Sequence, residues 1–159
     1  MSAIEIAAIG ESEKPALWNF LQAYIAELSA YDPAIKPVDG VYHYPWFDAY
    51  WRDADRWPFW VKVDGAAAGF ALLRRTSDGT MEMAEFYVLP EYRRTGAGIA
   101  SARDLIARFA GPWSISQYQA NAGSVVFWRR VIEGRSYAER EYISENGNPR
   151  IEQRFPSDR

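Results

Sequence analysis

The stretch that most restricts this chain is Glu85–Ala100, EFYVLPEYRRTGAGIA. A run that reads as buried strand is broken by a proline and followed by two arginines and a glycine-spaced turn. Alternation over Thr80–Val88 predicts a strand with Met81, Met83, Glu85 and Tyr87 on one face and Glu82, Ala84, Phe86 and Val88 on the other. Pro90 cannot donate to a sheet ladder and marks the strand's end. Gly96 and Gly98 permit unusual dihedrals and close backbone approach. From Ile99 onward apolar residues recur at helical spacing, through Ala102, Leu105, Ile106 and Phe109. A strand feeding a glycine turn at a helix start points free N–H groups at an anion, and the helix dipole adds positive potential there. A turn whose glycines only let the helix pack closely is the plain alternative. The dinucleotide fingerprint is excluded, because the third glycine and the downstream ribose-binding acid are missing. A kinase-type phosphate loop is excluded by the absence of Gly-Lys-Ser/Thr.

The rest of the chain places this stretch in a longer order of elements. Ser2–Ile9 reads as a short strand, and Ser12 is a candidate N-cap. Leu17, Phe20, Leu21, Tyr24, Ile25 and Leu28 form a helical stripe through about Ala30. Tyr31–Tyr44 is broken by Pro33, Pro37 and Gly40, and Pro45 opens a second predicted helix to about Ala54. Trp57–Val63 and Ala66–Arg75 are strands joined by Asp64-Gly65, a two-residue hairpin signal. Ser77-Asp78-Gly79 turns into the Thr80 strand, which completes an antiparallel meander. After the glycine-turn helix, Gly111-Pro112 leads into a strand over Trp113–Gln119, which the crossover makes parallel to the Thr80 strand. A helix over Ala122–Ile132 and two strands, Ser136–Ile143 and Arg150–Phe155, close the chain around Asn146-Gly147.

VLPEYRRTGAG resembles motif A of the GNAT superfamily of acyl-CoA-dependent N-acetyltransferases, Gln/Arg-x-x-Gly-x-Gly/Ala preceded by Val-x-Pro-x-Tyr. The element order β-α-α-β-β-β-α-β-α-β-β is similar to the GNAT fold over nearly the whole chain. The resemblance implies one α/β (α+β) domain spanning residues 1–159. Its mixed central sheet would have about seven strands, with a splayed parallel pair that admits the cofactor. It implies acetyl-CoA as co-substrate, with Arg93, Arg94, Thr95, Gly96, Ala97, Gly98 and Ile99 around the pyrophosphate. Phe86, Tyr87 and Val88 would offer backbone groups to the pantetheine, which lies like an added strand. NAGSVVFWRR resembles motif B, Asn-x-x-Ala-x-x-Phe-Tyr, through Asn121 and Phe127. Trp128 stands where the family often has the tyrosine that protonates the leaving thiolate, and an indole N–H is too weak an acid for that task. Water, Tyr118 or Tyr137 are the remaining proton donors. Ser116 and Gln117 stand where some members carry a second glutamate base.

The chemistry expected is amide formation by direct attack of a primary amine, in which Glu85 accepts the amine proton and an N–H near Val88 stabilises the developing oxyanion. Glu85 could instead serve as an arginine partner or a solvated edge carboxylate. Arg129 and Arg130, with Arg93 and Arg94, flank the expected cofactor path. The acceptor wall is expected from the first two helices, their loop and the C-terminal hairpin, with Tyr24, Tyr42 and Trp46 as its contacts. Tyr44, Tyr50 and Trp51 join the aromatic cluster there, which reads equally as core, and the lone His43 is a further loop candidate. The alternative function is an acyl-CoA-binding sensor or partner-binding module on the same fold, with little turnover. Absence of cysteine excludes disulfides, thiolate metal sites and a cysteine nucleophile, and no metal is expected. A net charge of -3 argues against general nucleic-acid affinity. The N-terminus lacks a secretory pattern and no apolar run approaches spanning length, so a cytoplasmic protein without membrane contact is expected. Its acceptor would be a small-molecule or peptide amine, and a homodimer is compatible with the family.

Overall fold

The computed structural model describes residues 2–156. A seven-stranded sheet runs through the molecule in the order β1-β2-β3-β4-β5-β7-β6. Its strands are β1 (Ile4–Ala8), β2 (Arg56–Val63), β3 (Ala66–Arg75), β4 (Met81–Val88), β5 (Trp113–Tyr118), β6 (Ala138–Ile143) and β7 (Pro149–Phe155). Four helices complete it: α1 (Lys14–Leu28), α2 (Ala49–Arg52), α3 (Ala97–Arg108) and α4 (Ala122–Val131). All neighbours pair antiparallel except β4 and β5, which the α3 crossover makes parallel. The β2–β3 hairpin turns on Asp64 and Gly65 with both φ values positive, 50° and 83°. An Asp-Gly turn supplies this conformation at low cost.

Two apolar layers cover the sheet. On one face, Leu17, Leu21 and Ile25 recur four residues apart along α1 and pack with Phe70, Leu72 and Tyr87. On the other, Ala102, Leu105 and Ile106 of α3 and Trp128 and Val131 of α4 pack with Ala71, Leu73, Met81, Met83 and Trp113. From Phe70 to Leu73, strand β3 alternates between these layers. Strand β4 does not, because Leu73 pairs with Met83 while Leu72 pairs with Glu85, leaving Ala84 as an extra residue. This bulge corrects the expected face assignment. Met81, Met83 and Phe86 point to the α3–α4 layer. Glu85 and Tyr87 point to the α1 layer, and so does Glu82, which pairs with Arg74.

Other boundaries also shift. Ser12 does not cap α1: a 3₁₀ turn over Glu11–Glu13 intervenes, and the Glu13 carboxylate accepts the Gly10 N–H at 3.0 Å. The second helix is only Ala49–Arg52, and Pro45 precedes it in a turn. The loop before it is pinned instead by side chains: Gln22 accepts from the Tyr42 N–H at 2.8 Å and donates to the Tyr42 carbonyl at 2.7 Å.

Candidate active site

Strands β4 and β5 pair only at Met81↔Trp113 and Glu82↔Ser114. Beyond those positions they splay, and a groove of about 1010 Å³ opens between them, floored by α4 and closed at one end by the start of α3. The splay leaves β4 with an unpaired backbone edge. Leu89 N–H donates to Ala68 O at 2.8 Å. Backbone groups alternate sides along a strand, so those of Phe86 and Val88 face the gap. Tyr87, opposite Phe70, turns its own toward β3. The expectation for Tyr87 is corrected accordingly: its backbone belongs to the sheet. Its ring packs on the α1 side against Phe70 and Tyr24.

The glycine turn builds the other end. Gly96 is the N-cap of α3 with φ 87°, and Arg94 precedes it with φ 61°. The first amides of a helix have no carbonyl to reach. Ala97 N–H finds Thr95 Oγ1 at 3.3 Å, and Ala100 N–H is the first to reach a turn carbonyl, Gly96 O at 3.1 Å. The amides of Gly98 and Ile99 lie between these at the groove wall, with no backbone partner among the described residues. A Cβ on Gly98 would stand 3.1 Å from the Phe127 ring, so the close approach of α3 and α4 leaves little room for a side chain there.

The cations divide by their partners. Arg94 and Arg130 line the groove without a carboxylate partner among the described residues. Arg93 also borders the groove, but it clamps α1 to the end of β4: Nε donates to Val88 O at 2.8 Å, and one terminal nitrogen meets both Glu27 carboxylate oxygens at 3.0 Å. Other side chains near the turn face away from the groove. Thr95 turns its hydroxyl to Tyr92 O at 2.7 Å. Ala97 is buried against Val63 and Ala68. Arg129 leaves the cofactor path to pair with Glu139 at 2.7 Å.

Asn121 caps α4, its side chain accepting the Ser124 N–H at 3.2 Å. Phe127 stacks on Phe86 at 5.7 Å, and Trp128 meets Phe86 edge-on at 5.2 Å, so the three rings form an apolar wall. Trp128 is 5% exposed.

Glu85 lines this groove, which shares Met83, Ala84, Ser116, Tyr118 and Arg150 with a second cavity of about 670 Å³ between β4, β5 and the C-terminal hairpin. Tyr24 donates to Glu85 Oε1 at 2.9 Å and Tyr44 to Oε2 at 3.0 Å. Burial pushes the Glu85 carboxyl up, and these two hydroxyls with the nearby Arg150 charge only partly pull it back. The same contacts hold both phenols protonated: burial and the Glu85 charge push Tyr24 and Tyr44 up. Tyr118 is committed elsewhere, donating to Asp32 Oδ2 at 3.0 Å, with its phenol pushed up to about 12 by burial and that carboxylate. Tyr137 is exposed and lines neither cavity, so it is not positioned as a proton donor.

Of the expected acceptor contacts, Tyr24 and Trp46 border the cavities, the latter 54% exposed. Tyr42 does not; it packs in the α1 layer with Tyr50 and Trp51. His43 is exposed and lines neither cavity. The role of Tyr44 as a Glu85 ligand and the presence of Arg150 were not legible in the sequence. Tyr44 lies 41 residues from Glu85, and no periodicity connects them. Among the described residues no cluster of three or more His, Asp or Glu could hold a metal ion, and no helix is long and apolar enough to cross a membrane.

Comparison with known proteins agrees with this architecture. Residues 21–131 match the Acetyltransferase (GNAT) family. An uncharacterized N-acetyltransferase of Mycobacterium tuberculosis (strain ATCC 25618 / H37Rv) is 29% identical over 116 residues, covering 69% of this chain and 68% of that protein. Among solved structures, the aminoglycoside acetyltransferase AAC(6')-Ib in complex with coenzyme A superposes with a TM-score of 0.71 at 10% identity, covering 97% of this chain and 95% of that one. The ribosomal-protein-S18-alanine N-acetyltransferase of Escherichia coli gives 0.59 at 19% identity, covering 99% and 96%.

Proposed function

The chain belongs to the GNAT family and is an acetyl-CoA-dependent N-acetyltransferase, and on that premise we propose that it acetylates a primary amine by direct attack, with Glu85 as general base. The observation that carries the reading is the splayed β4–β5 pair, which leads an unpaired strand edge from the α3 cradle to a carboxylate of raised affinity for protons.

The residues present suit the cofactor. The Gly98 and Ile99 amides and the Arg94 and Arg130 side chains supply donors and charge for a pyrophosphate. On the β4 edge, the Phe86 backbone groups and the Val88 N–H can pair with an amide-bearing chain, while Val88 O already accepts from Arg93. When bound, acetyl-CoA supplies the acetyl group as a thioester. The Phe86–Phe127–Trp128 wall keeps the reacting end apolar, and Val88 N–H is the oxyanion donor. Glu85 takes the proton the amine loses, directly or through one water, as its nitrogen bonds to the acetyl carbon and the C–S bond breaks. Burial suits Glu85 to this task, because a raised pKa makes the carboxylate a stronger base. The Trp128 indole N–H is too weak an acid to give up its proton, so the leaving thiolate takes its proton from water.

Thermal unfolding with and without acetyl-CoA tests the binding half of the reading, and thiol release with a panel of amines tests the transfer. A binder of the native state raises the midpoint by mass action. A midpoint raised by acetyl-CoA together with amine-dependent thiol release is the expected result. A raised midpoint without release from any amine would leave only a binding module.

A further inference from the structure

The acceptor is the unspecified half of the proposed reaction, and the inference drawn here rests on that reading. Most charges on the wall of the acceptor cavity are already paired. Arg74 donates to Glu82 at 2.7 Å. Glu152 meets Arg140 at 2.6 Å and Arg154 at 3.8 Å, and also takes the Ser114 hydroxyl at 2.6 Å. Glu145 and Arg150 are different, with no ion pair among the described residues, and of the two only Arg150 is a cation. It borders both the cavity and the cofactor groove, and it has no carboxylate partner among the described residues.

Its guanidinium is nevertheless held in place. Nε donates to Ser116 Oγ at 3.0 Å, and Ser116 Oγ in turn lies 2.8 Å from the Tyr142 hydroxyl. The guanidinium carbon lies 4.4 Å from the centre of the Tyr118 ring. Tyr118 is fixed through Asp32, which is 3% exposed and also takes the Ala34 N–H at 2.9 Å and the Asn146 amide at 3.3 Å. With Nε occupied and one face on a ring, the two terminal nitrogens remain as a fork without a protein acceptor among the described residues. That fork matches the two oxygens of a carboxylate. A half-buried cation left without a direct ion pair carries a desolvation cost that a bound anion relieves.

We propose that Arg150 anchors a carboxylate on the acceptor, so that the substrate is an amine bearing a free carboxylate, of which an α-amino acid is the smallest member. The carboxylate is gripped by the Arg150 fork and the amine turns toward Glu85 and the thioester. A polyamine would instead bring a second cation toward Arg150, and this repulsion selects against it.

The test pairs the common L-amino acids with their C-terminal amides. For each pair, thiol release from acetyl-CoA and thermal unfolding in the presence of coenzyme A are measured on the full chain. Absence of cysteine removes any background from the protein in the thiol assay. The expected result is that at least one acid is turned over with kcat/KM about 10–100-fold above that of its amide, the range for charge-assisted hydrogen bonds. Arg150→Gln should erase the difference through KM, and Arg150→Lys should restore part of it. Retention of the acetyl-CoA midpoint shift shows that the variants are folded. Absence of preference for any acid over its amide, in both turnover and unfolding, overturns the proposal, whether or not amines are acetylated. If no amine releases thiol but an acid raises the midpoint of the native protein and not of Arg150→Gln, the transfer reading falls and the anchor stands.

Discussion

The cofactor cradle and the proposed acceptor cavity adjoin at Met83, Ala84, Ser116, Tyr118 and Arg150, yet they are made from different parts of the polypeptide. The cradle is mostly backbone: the turn at Arg94 and Gly96, the amides of Gly98 and Ile99, and the free edge of β4. All of it lies within one continuous stretch. The acceptor side is made of side chains from the end of α1, the loop after it, β4, β5 and the C-terminal hairpin. A ligand common to many proteins can be held by peptide groups that every residue carries, with glycine only where the backbone must approach. A ligand particular to one protein needs side chains brought together by the fold.

The largest expected effect is at the proposed base. Glu85→Gln should lower kcat by about 10²–10⁴-fold and leave the acetyl-CoA midpoint shift in place, which steady-state rates and unfolding measure separately. The native protein should lose activity as pH falls through the raised pKa of Glu85, because the protonated carboxyl takes no further proton. The variant should lack that limb. Tyr44→Phe removes a bond that favours the charged carboxylate, so the limb should move to higher pH. A limb that stays in the ordinary carboxylate range would place the base elsewhere.

Gly98→Glu should do the reverse. It pushes a side chain at the Phe127 ring and sets a negative charge in the anion cradle. Acetyl-CoA affinity should fall roughly 100-fold or more, since opposed like charges cost several kcal/mol. Calorimetric binding within tenfold of the native value would mean that the cradle is not the phosphate site.

Asp32→Ala should cost about 1–3 kcal/mol in stability, because it leaves the Tyr118 hydroxyl and the Asn146 amide unpaired. It should raise KM for the amine more than for acetyl-CoA. Burial pushes Asp32 up, but hydrogen bonds from the Ala34 amide, Tyr118, Asn148 and Asn146 outweigh it and hold the pKa below the usual value. The stabilisation is therefore present above the unfolded-state pKa and lost as pH falls through the lowered folded one. The gap between native and variant in denaturant titrations should close under acid. The smallest effect should be Glu27→Gln. Its bridge to Arg93 is nearly half exposed on both sides, so the loss should stay within about 1 kcal/mol and shrink further in salt.

This division also explains what could be read in advance. The element order and the glycine turn rest on local chemistry, namely Asp64-Gly65, Pro90, and the spacing from Ile99 to Phe109, and they recur in the structure. Pro45 misled because its helix-starting signal is also a turn signal, and packing chose the turn. Tyr42 and Tyr44 are two residues apart and both pack in the α1 layer, yet only Tyr44 reaches Glu85. Only the path of the loop over β4 separates them. Arg150 was invisible for the same reason, since its proposed importance lies in the absence of a direct ion pair among the described residues, and that requires knowing every neighbour.

The extra residue at Ala84 carries a last consequence. Side chains on a strand alternate by parity, and this insertion resets the parity halfway along β4. Deleting Ala84 would leave Met83 opposite Leu73 and Glu85 opposite Leu72 as consecutive pairs, so both halves of the strand would keep their faces. Keeping Ala84 but flattening the bulge would break one half or the other. Holding the Met81–Met83 half in place would turn Glu85 into the apolar α3–α4 layer and Phe86 toward Tyr24 and Tyr44. Holding the other half would pull both methionines out of the core. What β4 contributes to catalysis is thus held partly as a count: an even–odd rule that no single residue's identity records.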